Sequence, residues 1–486
     1  MRELRLSGRR SRLAITAAPA IGGVLAVAIA AAQGAPQVPP PVAQALAAAG
    51  LPSAALSFTV VDAASGAPLA GLDADLPRSP ASTFKVVTTF AALDLLGPAH
   101  TWQTRALADG TVAGGVLDGD LILQGGGDPY LTLERWWDFV RRLRATGLRS
   151  IHGDIVVDES AYTLPPEDPA AFDARPHRTY NATPAALQVN FQAIEFRIAP
   201  LAAAHRIEIR AEPALPNLRI VNHVEFVPGA CDRVSGRVAM AVAQPAGERV
   251  VFSGRLAAGC RPRQFTRVLL QPATYAYGSF VALWRAQGGE FTGRLRRAPA
   301  PPDAQELLSY ESLSLGEVVR LTNKHSNNLL ARHLLYSMGE ARYGSPATEA
   351  KGRAALAEWS AHRGRPLPEA DIGNGAGLSR ELRVSAAWMA ALLCDAWRSP
   401  YAPEFLASLP LAGLDGTLRT RMLGAPPGTV RLKTGHIDGV SGVAGYVTTA
   451  DGRSLVVVSL VNDARADGGA AEPVHAALLR WVREAL

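Results

Sequence analysis

Ser79-Pro80-Ala81-Ser82-Thr83-Phe84-Lys85, running into the apolar Val86-Val87-Thr88-Thr89-Phe90-Ala91-Ala92-Leu93, is the stretch around which the rest of this chain is organised. Pro80 followed by an apolar periodic run marks a helix start. Residues three apart in a helix share a face, so the side chains of Ser82 and Lys85 can meet. A serine hydroxyl is a weak nucleophile until a neighbour takes its proton. A lysine sunk among Phe84, Val86 and Phe90 can be that neighbour, because burial disfavours its charged form. In the first helical turn Ser82 also keeps a backbone N–H free for an oxygen that becomes negative during attack. Ser-x-x-Lys recurs by chance in many chains, so the pair needs partners elsewhere.

Two further clusters offer them. Leu315 to Lys324 reads as a helix, followed by His325-Ser326-Asn327-Asn328 and a second apolar helix, Leu329 to Leu335. Ser326 and Asn328, two apart at the turn, can point one way: a hydroxyl to relay a proton and an amide to hold a peptide group. Helix capping selects the same residue types. His325 has no acidic partner in view and reads as incidental. Nearer the C-terminus, Val430-Arg431-Leu432-Lys433-Thr434-Gly435-His436 reads as an edge strand. Lys433 and Thr434 there can receive a carboxylate, and Gly435, lacking a side chain, lets a substrate backbone lie close.

Bulk properties narrow the class. The 486 residues are 48% hydrophobic and 19% charged, with 45 Gly and 35 Pro, which describes a folded chain of two to three domains. Of the formal +6, the first 32 residues contribute four, through Arg2, Arg5, Arg9, Arg10 and Arg12 against Glu3, leaving +2 for the rest. No basic run interleaved with aromatics follows, which argues against nucleic acid as a partner. Residues 1–32 read as a secretion signal: a basic start, an apolar stretch from Leu13 to Ala32, and small residues suited to cleavage. A retained membrane anchor is the competing reading of the same stretch. After it comes a Pro-rich leader, Gln33 to Pro41, and nothing later is apolar enough to span a bilayer. Export to a periplasm, or to a cell-wall exterior, is therefore expected.

Three cysteines suit an exported protein with one disulfide and one spare. Cys231 and Cys260 share the middle region, where a bridge would stabilise by about 3–4 kcal/mol through the unfolded chain. Cys394, in Trp388 to Cys394, reads as a core residue of a buried helix. No Cys/His grouping has metal-ligand spacing, so neither metal nor other cofactor is expected.

Taken in order, Ala55 to Asp62 alternates like a strand and Ser65-Gly66 with Pro68 reads as a hairpin turn before a second strand. From Thr101 to Leu123 short strand segments are broken by Asp109-Gly110, Gly114-Gly115 and Asp118-Gly119. Gly125-Gly126-Gly127-Asp128-Pro129 lacks the Gly-Lys-Ser/Thr of a phosphate loop and reads as a turn. Leu133 to Thr146 is an amphipathic helix, and strand-like pieces dominate Ala193 to Pro272. The C-terminal third closes with strands Gly442 to Thr449 and Ser454 to Val461 and a helix from Glu472 to Glu484.

In order along the chain, the three clusters match the Ser-x-x-Lys, Ser-x-Asn and Lys-Thr-Gly set of penicillin-binding proteins and β-lactamases. Beyond them, Asn374-Gly375-Ala376-Gly377-Leu378-Ser379-Arg380, the segment Ser408 to Leu418, and Ala444-Gly445-Tyr446-Val447 resemble the D-alanyl-D-alanine carboxypeptidase/endopeptidase family S13, the low-molecular-mass class C penicillin-binding proteins. The resemblance covers essentially everything after the leader. It implies a mixed α/β (α+β) fold: a transpeptidase-like domain (33–98 and 305–486) of an antiparallel sheet flanked by helices, and a large β-rich insertion (99–304). It implies a serine-type DD-peptidase acting on D-Ala-D-Ala stem peptides or D-Ala-meso-diaminopimelate cross-links of peptidoglycan, acylated by β-lactam antibiotics. A β-lactamase or esterase of the same fold, or an inactive peptidoglycan-binding scaffold, are the alternatives. Carried over by position, Ser82 is the acylated nucleophile and Lys85 its base. Ser326, assisted by Lys433, passes a proton to the leaving amine, and Asn328 holds the substrate amide. Lys433, Thr434, Gly435 and His436 bind substrate, and the N–H groups of Ser82 and His436 form the oxyanion hole. Losing one such donor costs about 3–4 kcal/mol of transition-state stabilisation. His436 stands where the family usually has a hydroxyl residue, and Asn374 and Ala376 replace the usual Asp and Ser, so altered substrate contacts are expected. Asp173 is the candidate for the acidic insertion residue that approaches the substrate side chain.

Overall fold

The computed structural model describes residues 38–243, 248–367, 372–422 and 424–486; the expected secretion signal lies outside them. Five antiparallel strands form the sheet that carries the site. Their order is Val430–Ile437, Val440–Thr448, Ser454–Asn462, Leu56–Asp62, Pro68–Leu72. The three middle strands are buried almost throughout, which is why they are rich in valine rather than alternating with polar residues. Helices cover both faces. On one face Phe84, Val87, Phe90, Leu334 and Met389 pack against Val456 and Val458. On the other, Val42 and Leu46 of helix Pro40–Ala48 and Val474 and Leu478 of helix Glu472–Ala485 pack against Val457 and Val461. Val457 and Val458 face opposite ways because side chains alternate along a strand.

Helix Lys85–Leu96 lies inside the first of these cores, with every residue from Lys85 to Leu93 buried. A helix surrounded by protein shows no polar stripe, and its one lysine is enclosed with the rest. The two helices that pack on it, Leu315–His325 and Asn328–Tyr343, meet at the Ser326 turn.

Between them in sequence lies a second body of structure with its own core, built from residues such as Leu121, Trp136, Phe139, Phe196, Phe252 and Trp284. It holds a seven-stranded sheet, two three-stranded sheets and helices Leu133–Ala145 and Pro272–Ala286. We propose the division at 99–304 on the strength of this separate core. Strand Gln305–Glu311, which pairs with Gln103–Ala113, extends it as far as Glu311. The short segments expected from Thr101 to Leu123 are two long strands, Gln103–Ala113 and Val116–Gly125. Only Gly114-Gly115 turns the chain. Gly110 and Gly119 face each other across the ladder, and a Cβ on either would come within 2.4 Å of the opposite backbone. Their glycines mark a close backbone approach, not a break. Cys231 and Cys260 are bridged, and Cys394 is buried in helix Ala386–Arg398.

Candidate active site

Ser82 sits in a 3-10 turn, Ala81–Phe84, that feeds directly into helix Lys85–Leu96. The tighter turn opens with Ala81 in the left-handed region at φ 45°, a conformation that a non-glycine residue keeps only when its surroundings hold it. Gly377 leaves room for the Ala81 carbonyl: a Cβ there would stand 2.1 Å from its oxygen. Across this turn Lys85 Nζ lies 2.9 Å from Ser82 Oγ. Two more oxygens surround the same amine: Asn328 Oδ1 at 2.7 Å and the Ala376 carbonyl at 2.5 Å. Neither of these can donate. A neutral amine therefore gives its two N–H groups to them and turns its lone pair toward the serine hydroxyl. Desolvation, followed by the nearby charge of Lys433, pushes the Lys85 pKa well below its ordinary value.

The second amine belongs to the edge strand. Lys433, fully buried, donates to Ser326 Oγ at 2.7 Å and to the Thr434 carbonyl at 2.6 Å. Burial, with a smaller contribution from Arg421, lowers its pKa to about 7. Ser326 itself is left-handed, φ 54°, where the first helix ends. Capping of the second helix falls to neither Ser326 nor Asn328: Asn327 Oδ1 accepts from the Leu330 N–H. That leaves the side chains of Ser326 and Asn328 free to face the two lysines. His325 is exposed at the helix end.

The strand edge is closed on one side of this point and open on the other. Leu432 N–H bonds to the Pro410 carbonyl and Ala412 N–H to the Val430 carbonyl, so the 410–412 segment covers the first half. Backbone groups alternate sides along a strand, so the His436 N–H faces the same way as the Leu432 N–H and the Thr434 carbonyl, beyond that cover. His436 is exposed. Gly435 also has a packing role that its sequence position does not suggest. A Cβ there would lie 2.6 Å from the Pro80 carbonyl, 2.8 Å from Thr83 N and 3.0 Å from Ser82 N. The missing side chain lets the strand press against the serine turn. Gly435→Ala is expected to destabilise the protein by about 1–3 kcal/mol and slow acylation at least tenfold; thermal unfolding and penicillin labelling check both.

Several participants were not visible as motifs. Thr417 Oγ1 lies 2.9 Å from Thr434 Oγ1, placing a second hydroxyl beside that of Thr434. Its loop is tied down by Lys324, buried, which bonds Asp415 Oδ2 at 2.6 Å and the Leu409 carbonyl at 2.7 Å. The Ala376 carbonyl is a backbone atom, so replacing the family's usual Ser there leaves this contact intact; Asn374 Oδ1 holds the turn by accepting from Ala376 N–H. The insertion also reaches the site. Phe172 packs on Ala81, Ile437 and Val440, with the Arg380 guanidinium 4.7 Å above its ring. Arg380 bonds in turn to Asp438.

A sequence model of the D-Ala-D-Ala carboxypeptidase 3 (S13) family matches residues 40–485. The chain belongs to that family. It is 29% identical over 433 residues to the D-alanyl-D-alanine carboxypeptidase of Actinomadura sp. (strain R39), covering 85% of this chain and 78% of the relative. With D-alanyl-D-alanine carboxypeptidase DacB of Haemophilus influenzae it shares 26% over 385 residues, 79% and 80% of the two chains. The fold is that of penicillin-binding protein 4 from Haemophilus influenzae, with a TM-score of 0.77 at 23% identity over 91% of this chain and 99% of that one. The same protein complexed with a β-lactam superposes at 0.73, with 24% identity, over 88% and 96%. This S13 member is thus a serine peptidase of the D-Ala-D-Ala carboxypeptidase class on the penicillin-binding fold.

Proposed function

We propose that Ser82 is acylated by D-Ala-D-Ala peptides of peptidoglycan and by β-lactams, with Lys85 as the base. The observation that carries the reading is the 2.9 Å approach of Lys85 Nζ to Ser82 Oγ, with both other Nζ neighbours being acceptors. As Ser82 Oγ bonds to the carbonyl carbon, its proton passes to Lys85 and the oxyanion forms against the Ser82 and His436 N–H groups. Breaking the C–N bond expels D-alanine, whose amine takes a proton through Ser326 from Lys433. Water then attacks the ester carbonyl, and its released proton returns to Lys433. Ser82 Oγ leaves with the proton held by Lys85, so that both lysines and the serine regain their starting states. Thr434 and Thr417, with Lys433, receive the terminal carboxylate. A cavity of about 460 Å³ opens beside Asn328 between Tyr180, Phe172, Asn374 and Arg380, with room for the acyl side of a stem peptide. Both carboxypeptidase and endopeptidase action are compatible with it. Incubation with purified muropeptides tests the reading: free D-alanine or split dimers support it, and rapid penicillin hydrolysis with neither would point to a β-lactamase instead. The compartment proposed is the periplasm or the cell-wall exterior; among the described residues no helix is long and apolar enough to cross a membrane.

Lys433 makes recognition pH-dependent. Its pKa falls from 10.5 to about 7 on folding, so the free enzyme holds the charged amine below pH 7 and loses it above. A carboxylate ligand favours the charged form, so KM for a peptide with a free C-terminus rises as pH increases from 7 to 9. A flat profile would contradict the carboxylate role of this amine. The sign for stability is the opposite: the unfolded chain keeps this proton up to about pH 10.5, so Lys433 makes the native state more stable as pH rises from 7 toward that value.

A further inference from the structure

We infer that the inserted loop 167–182 is a positioning element of the active site: it sets the orientation of the Asn328 amide through the Tyr180 carbonyl, and Asp173 is the residue that holds that carbonyl in place. The inference rests on the chemistry proposed at Ser82. An amide side chain is nearly symmetric in shape, and packing alone does not choose which end faces a neighbour. For Lys85 the choice is decisive. With Oδ1 forward, Asn328 accepts an N–H of the amine and leaves the lone pair to Ser82. With Nδ2 forward, it would donate to that lone pair and compete with the serine hydroxyl. Among the described residues one hydrogen bond to the Nδ2 end distinguishes the two ends: that to Tyr180 O, 3.1 Å from Asn328 Nδ2. A carbonyl only accepts, so it selects the nitrogen and directs the oxygen toward Lys85 Nζ, 2.7 Å away.

The Tyr180 carbonyl is fixed from both sides by one carboxylate. Tyr180 OH donates to Asp173 Oδ2 at 2.6 Å, and Asn181 Nδ2 donates to Asp173 Oδ1 at 2.8 Å. The Arg175 N–H completes the ring at 3.1 Å, and Asn181 Nδ2 also reaches the Arg175 carbonyl. Asn181, at 5% exposure, is enclosed within the clamp. The loop is docked on the helix of Asn328 itself. Arg332, one turn further along that helix, makes a bidentate pair with Glu167 at 3.0 and 2.6 Å, and its guanidinium also reaches the Ala182 carbonyl at 3.5 Å. Both ends of the segment therefore rest on the helix face that presents Asn328.

The test uses acylation of the full-length enzyme by a penicillin whose side chain carries no amine. Saturation kinetics separate binding from the limiting acylation rate. Asp173→Ala should lower the limiting rate about tenfold or more with little change in the half-saturating concentration. Asp173→Asn, which keeps an oxygen for Asn181 and a polar partner for Tyr180 OH, should recover to within about threefold of wild type. In an Asn328→Ala background, adding Asp173→Ala should change the rate less than twofold, because its target is gone. Wild-type rates in Asp173→Ala, or an equal loss in both backgrounds, would overturn the inference. So would an Asn variant as slow as the Ala variant at an unchanged melting temperature, since that outcome assigns the effect to charge. Absence of Ser82 labelling in wild type would overturn the proposed chemistry and this inference together.

Discussion

Ser82→Ala yields no covalent penicillin adduct, and release of D-alanine from a D-Ala-D-Ala peptide drops by at least about 10⁴-fold, the scale on which removal of a covalent nucleophile acts. The side chain of Ser82 bonds only to Lys85 Nζ among the contacts described, and one such bond contributes about 1 kcal/mol. The melting temperature should therefore stay close to that of wild type. Intact-protein mass spectrometry after penicillin exposure reads the adduct directly, and an adduct retained in the alanine variant would falsify the nucleophile assignment.

Lys85→Ala is expected to slow acylation of an intact Ser82 by about 10³–10⁴-fold, the upper end of what a positioned general base supplies. The discriminating variant is Lys85→Arg. A guanidinium keeps its charge at any accessible pH and can take no proton, so arginine should leave acylation as slow as alanine does. Were the amine acting only as a positive charge near the developing oxyanion, arginine would recover activity. Removing the amine also strands Asn328 Oδ1 and the Ala376 carbonyl in a buried place, each at about 1–3 kcal/mol. Against this stands relief from enclosing an amine whose pKa is already pushed well down by desolvation. Stopped-flow or gel-based labelling across pH 6 to 9 resolves the rates, and circular dichroism confirms the fold of each variant.

Short-range rules carried far in this chain. The spacing of Ser82 and Lys85 read as one helix face, and they meet at 2.9 Å, with the refinement that a 3-10 turn rather than the α-helix presents the serine. Ser326 and Asn328 read equally well as caps, and that ambiguity was not soluble locally, because capping and catalysis select the same small polar side chains. Asn327 caps the second helix instead, which removes the capping reading and leaves the catalytic one as proposed. Gly435 was legible as a position that tolerates no side chain, but its neighbour was not: the clash is with the serine turn more than 350 residues earlier. Glycines 110 and 119 misled for a related reason, since a strand crossing and a strand break both call for the absence of Cβ.

By itself, the order of amino acids determined the candidate reactive groups and the family to which the chain belongs, because a nucleophile, two lysines and an amide are chemical identities that folding does not change. Spacing within a helix or strand settled the rest of that part, since three residues along a helix is a fixed distance. Only the tertiary structure decided the company these groups keep. The Ala376 and Tyr180 carbonyls and the Thr417 hydroxyl reach the site from segments far apart in sequence. Backbone carbonyls have no sequence signature at all. The enclosure that lowers the pKa of both lysines exists only once two helices, a sheet edge and the loop around Ala376 have closed over them, because desolvation belongs to the packed interior and to no residue alone.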